Sequence, residues 1–475
     1  QATSSDILVF SMVGYRTEEI NVGNQQTIDV RLIEDTKGLD EVVVVGYGSV
    51  KRRNLTGAVG QITGENLQNR GVMNVSRALQ GQVPGLNISV RDGKPSSAAS
   101  LNVRGAGSIG AGGSALILID GVEGDMSTIN PDDIESVSVL KDASSAAIYG
   151  ARGAFGVVLI TTKKAGLGRS RVNYSAGYSR NERTVKIGNN IVTNGLQWTD
   201  AFLKSYTEGQ NNTPAGINNV FKYNTDWYNE LVKRNADPSL ERMRVNSIGE
   251  YEYFGNTNWF DIIYKDHNAG NEHNLSVTGG SDKANYYVSG RYFNQDGIYN
   301  AGNENFRQYN FRAKGEIKIR PNLSISNNMD FVRNNVNQPM VMYDRQLIPR
   351  MLEHQGYPMT LEKNLDGTWT EAAVYIGWAG FKEGTSYQKN NKFALRNITT
   401  LTYDIIPKVL MGKADFTYSY DHSDRTRVEN MYDFYIGPQI KKTRNTYSSL
   451  EVYNYVNQYK ASNITLNYLP QFSNE

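Results

Sequence analysis

From residue 171 onward, apolar and polar residues alternate in long runs. Val172, Tyr174, Ala176 and Tyr178 are separated by Asn173, Ser175 and Gly177. Tyr309, Phe311, Ala313, Gly315, Ile317 and Ile319 are separated by Asn310, Arg312, Lys314, Glu316 and Lys318. A period of two gives a strand one apolar face and one wet face. The pattern predicts about eight strands, near 171–180, 272–280, 284–294, 306–319, 322–333, 392–405, 409–421 and 461–469. Several run to roughly 10–14 residues, whereas strands of soluble sheets average about 5–6 and tilted membrane strands need about 9–11. Tight turns at 281–283, 320–322 and 406–408 alternate with long segments at about 181–271, 295–305, 334–391 and 422–460. Short-long alternation is the pattern of an up-and-down membrane barrel. A soluble β-sandwich is the competing reading, and strand length and alternating loop length weigh against it.

Composition places a border just before this region. Only Phe10, Tyr15, Tyr47, Tyr149 and Phe155 among the aromatics precede residue 170, although the chain has 30 Tyr, 15 Phe and 5 Trp. With no cysteine, disulfide scaffolds, thiolate metal sites and cysteine nucleophiles are excluded. A net charge of +2 argues against a nucleic-acid partner. No apolar run reaches the roughly 18 residues of a spanning helix, which leaves a membrane barrel open.

Before the border the chain falls into three parts. Residues 1–36 read as two strands, Ile7–Val13 and Thr27–Leu32, and so as part of a small β-sandwich domain that began upstream. Residues 37–53 hold Val42–Val45, a β-prone tetrapeptide. It is either an edge strand of a neighbouring domain or a docking strand that adds to a partner's sheet. Residues 54–169 read as one mixed α/β body. Its predicted strands are Leu86–Val90, Ser100–Arg104, Ala115–Asp120, Ile134–Leu140 and Val157–Thr162, with helices at Met73–Gln80 and Ala143–Tyr149.

Few residues carry chemistry. Gly105-Ala106-Gly107-Ser108-Ile109-Gly110 has dinucleotide-fingerprint spacing, but a strand rather than a helix follows it, so no nucleotide or other cofactor is assigned. Asp120, Asp125, Asp132, Asp133 and Glu135 cluster in a pattern of turns and caps. His267, His273, His354 and His422 have no metal-ligand spacing, and His267 and His273 read as loop and strand-edge residues. With no acid pair, triad or metal cluster placed, no catalytic residue is assigned and the chain does not read as an enzyme. Trp227 and Trp259 sit in the first long loop, where they either stack on a sugar or anchor the loop.

Several stretches resemble the SusC/RagA type of TonB-dependent outer-membrane transporter. They are Asp40-Glu41-Val42-Val43-Val44-Val45-Gly46, Leu79-Gln80-Gly81-Gln82-Val83-Pro84-Gly85, Leu118-Ile119-Asp120-Gly121-Val122 and the run from Asp133 to Gly153. Asn274–Ser281 extends the match into the alternating region. The resemblance implies a mainly β fold of four parts. Residues 1–36 would be the C-terminal part of a carboxypeptidase-D-regulatory-like β-sandwich, residues 37–53 the Ton box and linker, residues 54–169 the plug, and residues 170–475 the first part of a transmembrane β-barrel expected to have 22 strands.

It also implies a function. TonB, supplied with energy by ExbB/ExbD, would pair with Asp40, Glu41, Val42, Val43, Val44, Val45 and Gly46, and a SusD-like surface lipoprotein would act as a lid. The substrate would be an oligosaccharide, with a peptide as the alternative, and outer-membrane lipid would surround the barrel. Arg104 and Glu135 are the expected plug-lock charges. A surface adhesin is the remaining alternative, and it leaves the Val42–Val45 strand without a purpose.

Overall fold

The computed structural model describes residues 7–10, 18–21, 23, 30, 42–45, 48–51, 59–68, 75–90, 99–103, 114–142, 146–183, 191–210, 224–339, 348–444 and 447–468. The chain divides into two compact units. One is Gln1–Arg91 with Ala98–Lys163, and the other is Asp92–Ser97 with Lys164–Glu475.

In the first unit, β1 (Ile7–Phe10) pairs antiparallel with β2 (Glu18–Asn21). The sequence reading did not include β2, and its first strand, Ile7–Val13, is described only over Ile7–Phe10; of its second strand, Thr27–Leu32, one residue is described. Val30 is not in a strand, and the rest of that segment lies outside the described residues. The strand β3 (Val42–Val45) pairs antiparallel with β4 (Gly48–Lys51). The α/β body is a five-stranded sheet of β5 (Val59–Thr63), β8 (Leu116–Ile119), β9 (Val122–Glu123), β10 (Ile134–Leu140) and β11 (Val157–Thr162), in the order β5-β10-β11-β8-β9. The hairpin of β6 (Leu86–Ser89) and β7 (Ser100–Val103) stands beside it as a separate sheet.

Three of the strands read from sequence enter this sheet, and β5 joins them as an edge that sequence reasoning missed. The central strands are continuous apolar runs because both faces are buried: Val137, Val139, Val158 and Ile160 pack into one cluster with Val75, Leu79 and Met126, and Leu140, Val157 and Leu159 into another. The helix expected at Met73–Gln80 is Val75–Leu79. The helix expected at Ala143–Tyr149 is a 3₁₀ stretch over Ala147–Gly153, broken where Gly150 takes φ 57°.

The second unit is built on an eight-stranded antiparallel sheet. Its strands are β12 (Gly168–Glu182), β15 (His267–Gly280), β16 (Ala284–Asp296), β17 (Asn305–Arg320), β18 (Leu323–Pro339), β19 (Tyr387–Ile406), β20 (Leu410–Glu429) and β23 (Ser449–Tyr468). They lie side by side in chain order. All eight predicted strands are present, and they are longer than predicted, at 13 to 20 residues. The alternation stops where polar residues occupy both faces near the long-loop end, yet the backbone ladder continues.

One face of this sheet carries Val172, Tyr174, Leu275, Phe311, Ile317, Leu401 and Phe416, all exposed. The opposite face is polar. Arg291 is fully buried there, donating to Glu272 and to Gln308 Oε1. Two strands on, Asp330 accepts from Arg396 Nη2 at 2.7 Å and faces Arg312 Nη2 at 3.7 Å. Exposed apolar and buried ionic faces are the reverse of a soluble sheet, and they are the arrangement of a strand wall with lipid on its apolar side.

The antiparallel order puts the three tight turns at one end and the long connections at the other. Those connections are folded. They contribute helices at Gly195–Gln210, Thr225–Ala236, Trp259–Ile263, Ile348–Gln355, Glu371–Ile376 and Trp378–Glu383. Two hairpins join them, β13 (Met243–Val245) with β14 (Tyr251–Tyr253) and β21 (Tyr432–Gly437) with β22 (Ile440–Arg444). Segments from all four long connections share one apolar core: Trp259 from the first, Tyr299 from the second, Trp378 from the third and Phe434 from the fourth.

Candidate functional site

Three places bear on function: the β3 strand, the carboxylates of the plug-like sheet and the folded loop layer. In β3 the register is Val42 opposite Lys51, Val43 opposite Val50, Val44 opposite Ser49 and Val45 opposite Gly48. The strand therefore has a partner within the chain, which composition did not reveal. A two-stranded hairpin alone is marginal in water. Exchanging or extending it with another strand costs little, and that is what a docking strand requires. Asp40, Glu41 and Gly46 lie outside the described residues.

The clustered acids of residues 120–135 hold turns. Asp120 and Gly121 have φ of 49° and 86° and connect β8 to β9, the geometry of a two-residue type I′ hairpin turn with its preferred Asp-Gly pair. The Asp120 carboxylate accepts from Thr162 N at 2.9 Å and Thr162 Oγ1 at 2.6 Å, so it ties the hairpin to the end of β11. Asp125 accepts from Ser127 N at 2.9 Å, and Asn130 accepts from Asp132 N at 3.1 Å. Both are capping bonds. Of the two residues expected as plug-lock charges, Glu135 is exposed on β10, and Arg104 lies outside the described residues together with the Gly105–Gly110 motif.

The loop layer resolves the two tryptophans. Trp227 is 1% exposed and Trp259 is 2% exposed. The Trp227 indole donates to Tyr253 O at 3.2 Å, and the Trp259 indole donates to Tyr357 O at 3.2 Å. Neither ring offers a face to a ligand, so the expectation of substrate contact is corrected: both anchor the loops. The signal was present in sequence. Asn224 caps its helix by accepting from Trp227 N at 2.7 Å, and Asn258 caps the next by accepting from Asp261 N at 3.4 Å. Each is a helix N-cap followed by an apolar residue that turns inward. Replacing Trp259 with alanine is expected to cost about 3–5 kcal/mol of loop-layer stability. Limited proteolysis should then cut within residues 183–266 and 340–386 and leave the strands whole.

Glu362 is a half-buried carboxylate of the layer held between two donors. Its Oε1 accepts from Trp378 Nε1 at 2.7 Å and from Lys382 Nζ at 2.7 Å. Burial alone would raise its pKa, but these two donors hold it below its ordinary value. A lowered carboxylate pKa gives stability that is present above the unfolded value of 4.5 and lost as pH falls through the folded one. Glu371 has the opposite sign: burial raises its pKa, so its contribution falls as pH rises. Protease resistance of the loop layer should therefore fall as the pH drops below about 4.5. Glu362→Gln should make that acid limb shallower without removing it, because Asp366 and Asp433 are also held below their ordinary value by their donors, and Glu371→Gln should leave the limb in place.

His267 and His273 both lie in β15, so the loop expected there is a strand. His273 Nδ1 is 2.9 Å from Tyr174 Oη, and its ring stacks on Tyr174 and Tyr292. Among the described residues no group of three His, Asp or Glu side chains is placed to hold a metal.

A family profile described as TonB-dependent Receptor Plug Domain matches residues 51–157. TonB-dependent receptor P26 of Formosa agariphila is 30% identical over 435 residues, covering 90% of this chain and 40% of that protein. TonB-dependent receptor SusC of Bacteroides thetaiotaomicron is 32% identical over 318 residues, covering 65% of this chain and 27% of that protein. The fold matches a solved structure of the RagAB peptide importer in its open-open state, with a TM-score of 0.63 and 21% identity. That match covers 90% of this chain and 55% of the solved one. The chain thus spans about half, or less, of the length of the proteins it matches. By its plug domain, its shared sequence and its strand wall, the chain belongs to the SusC/RagA type of the TonB-dependent receptor family.

Proposed function

We propose that the chain is the plug-bearing portion of an outer-membrane importer that takes up an oligosaccharide using energy delivered by TonB. The carrying observation is the β3 strand, which stands upstream of the plug sheet and among the described residues is paired only as a hairpin. TonB adds to this strand, and main-chain hydrogen bonds supply the grip. ExbB/ExbD supply the energy, and a SusD-like lipoprotein closes over the long-loop side. Residues 1–36 are the end of a regulatory-like β-sandwich, 37–53 the Ton box and linker, 54–169 the plug and 170–475 the first part of the barrel, with the plug facing the periplasm. Arg104 and Glu135 remain the proposed plug-lock pair.

The polar face of the sheet supports a saccharide. Asn274 Oδ1, Gln295 Oε1 and Asn334 Oδ1 are buried there without a hydrogen-bond partner. Amide oxygens are acceptors for sugar hydroxyls, and an unmet buried acceptor is costly until a donor arrives. A peptide is the second reading, favoured by the likeness in fold to the RagAB peptide importer. Mass spectrometry of ligands that copurify with the full-length protein from glycan-fed and peptide-fed cells separates the two. Glycans recovered from both cultures support the first reading, and peptides recovered from both overturn it.

A further inference from the structure

A polar cleft of about 720 Å³ opens at the long-loop end of the sheet, and its register puts it on an unexpected side. Tyr292, Tyr309, Arg333 and Phe393 are consecutive partners across β16–β19 and form one row on the exposed apolar face. The next row toward the long loops on the same face is Asn294, Arg307, Asn335 and Asn391. The row after it is Asp296, Asn305, Asn337 and Lys389. All of these residues but Asn294 line the cleft, and Lys265 and Glu304 close it from the loop side. The cleft therefore opens outward, on the side of Tyr309 and Ile317, which are 40% and 56% exposed.

Its height fits a membrane interface. The two rows lie two and four residues beyond the aromatic row, about 7 and 13 Å along the strand and so about 5 and 9 Å in height at the roughly 45° tilt of a membrane strand. The polar zone of one leaflet is about 5–8 Å thick, the difference between the full bilayer and its hydrocarbon core shared between two sides. If the aromatic row marks the edge of the hydrocarbon, as interfacial aromatics do, the cleft lies at headgroup depth.

The lining selects the headgroup. Lys265, Arg307 and Lys389 make no ion pair among the described residues; Arg307 Nε donates only to Asn294 Oδ1, at 3.3 Å. Asn335 Oδ1 and Asn337 Oδ1 are buried and have no hydrogen-bond partner. A neutral sugar would leave the cations unanswered, and a bare phosphate would leave the amide oxygens unanswered and face the carboxylates of Asp296 and Glu304. A phosphorylated sugar answers both the cations and the amides: phosphate oxygens on the cations, hydroxyl donors on the amide oxygens.

We propose that this cleft seats the phosphorylated sugar headgroup of an outer-leaflet glycolipid. The proposal rests on the reading of the sheet as a membrane wall. The test uses the full-length protein in detergent and a fluorescent diphosphorylated disaccharide lipid as probe. Saturable binding is expected, weakened about tenfold both by Arg307→Ala with Lys389→Ala and by Asn335→Ala with Asn337→Ala. Lys460→Ala, on the same face but outside the cleft, should leave it unchanged. Wild-type affinity in both double variants would overturn the proposal, as would equal affinity for phosphatidylethanolamine or for soluble glucose 6-phosphate. A single cysteine at Ile317, labelled with a fluorophore in lipid nanodiscs, tests the wall separately. Quenching by lipid-borne nitroxide keeps the wall whatever the binding result, and a water-exposed probe would remove both.

Discussion

Deleting Asp40–Val45 is expected to abolish uptake while surface binding of the substrate stays at its full level. The deleted residues contain β3, whose only strand partner among the described residues is β4. The five-stranded plug sheet and the eight-stranded wall keep all their ladders, so folding and ligand contacts should survive. What is lost is the strand that a pulling partner adds to. A milder variant makes the same point. Val44→Pro removes one backbone donor and places a ring where a neighbouring strand must lie. It should also reduce uptake to background. Transport of labelled substrate into whole cells reads the first quantity, and retention on de-energised cells reads the second. Uptake at the wild-type rate in either variant would sink the energised-transport reading and favour a surface binding protein. Loss of both quantities, with normal amounts of protein in the outer membrane, would place part of the binding site at the strand.

Sequence showed the wall far better than the loops above it. Every wall strand was legible because period-two alternation survives over many residues, and a slip by one would move Phe311, Ile317 and their partners to the buried polar face. The tight turns were legible through Pro321, Pro407 and the Ser281-Asp282 pair. Missed features share a different cause. β5 is a short edge strand, and Gly60 and Gln61 break its apolar run, so its place is fixed by pairing with β10 and not by its own pattern. Trp227 and Trp259 were legible as loop aromatics, but their burial depends on Phe254, Met359 and Trp378, which lie up to more than a hundred residues away. Spacing within a loop carries no information about a core assembled from four loops. The cleft on the outer face was equally hidden, because Asn294, Arg307, Asn335 and Asn391 become one row only through the register of four strands.

The same register says how a pull on β3 would enter the plug. The chain runs from β4 into β5, and among the described residues β5 is the edge of its sheet, hydrogen-bonded to β10 alone. Its N-terminal residue, Val59, is opposite Leu140, the last residue of β10. Tension arriving at Val59 therefore loads one end of an antiparallel ladder, and the pairs open in sequence: Val59–Leu140, Gly60–Val139, Gln61–Ser138. Opened one at a time, each bond contributes only about 1 kcal/mol net, so the edge peels where a ladder loaded along its whole length would hold. A cross-link should stop the peeling. Gln61 and Ser138 are direct partners, and facing residues of an antiparallel pair lie about 4.5–5.5 Å apart at Cα, within disulfide range. The chain has no native cysteine to interfere. With Gln61→Cys and Ser138→Cys oxidised, uptake should fall to the level of the Asp40–Val45 deletion while substrate binding persists. Reduction should restore it, and each single cysteine should transport normally. Wild-type uptake by the oxidised protein would show that the plug yields somewhere other than β5, or leaves as one body, and the edge-peeling route would be abandoned.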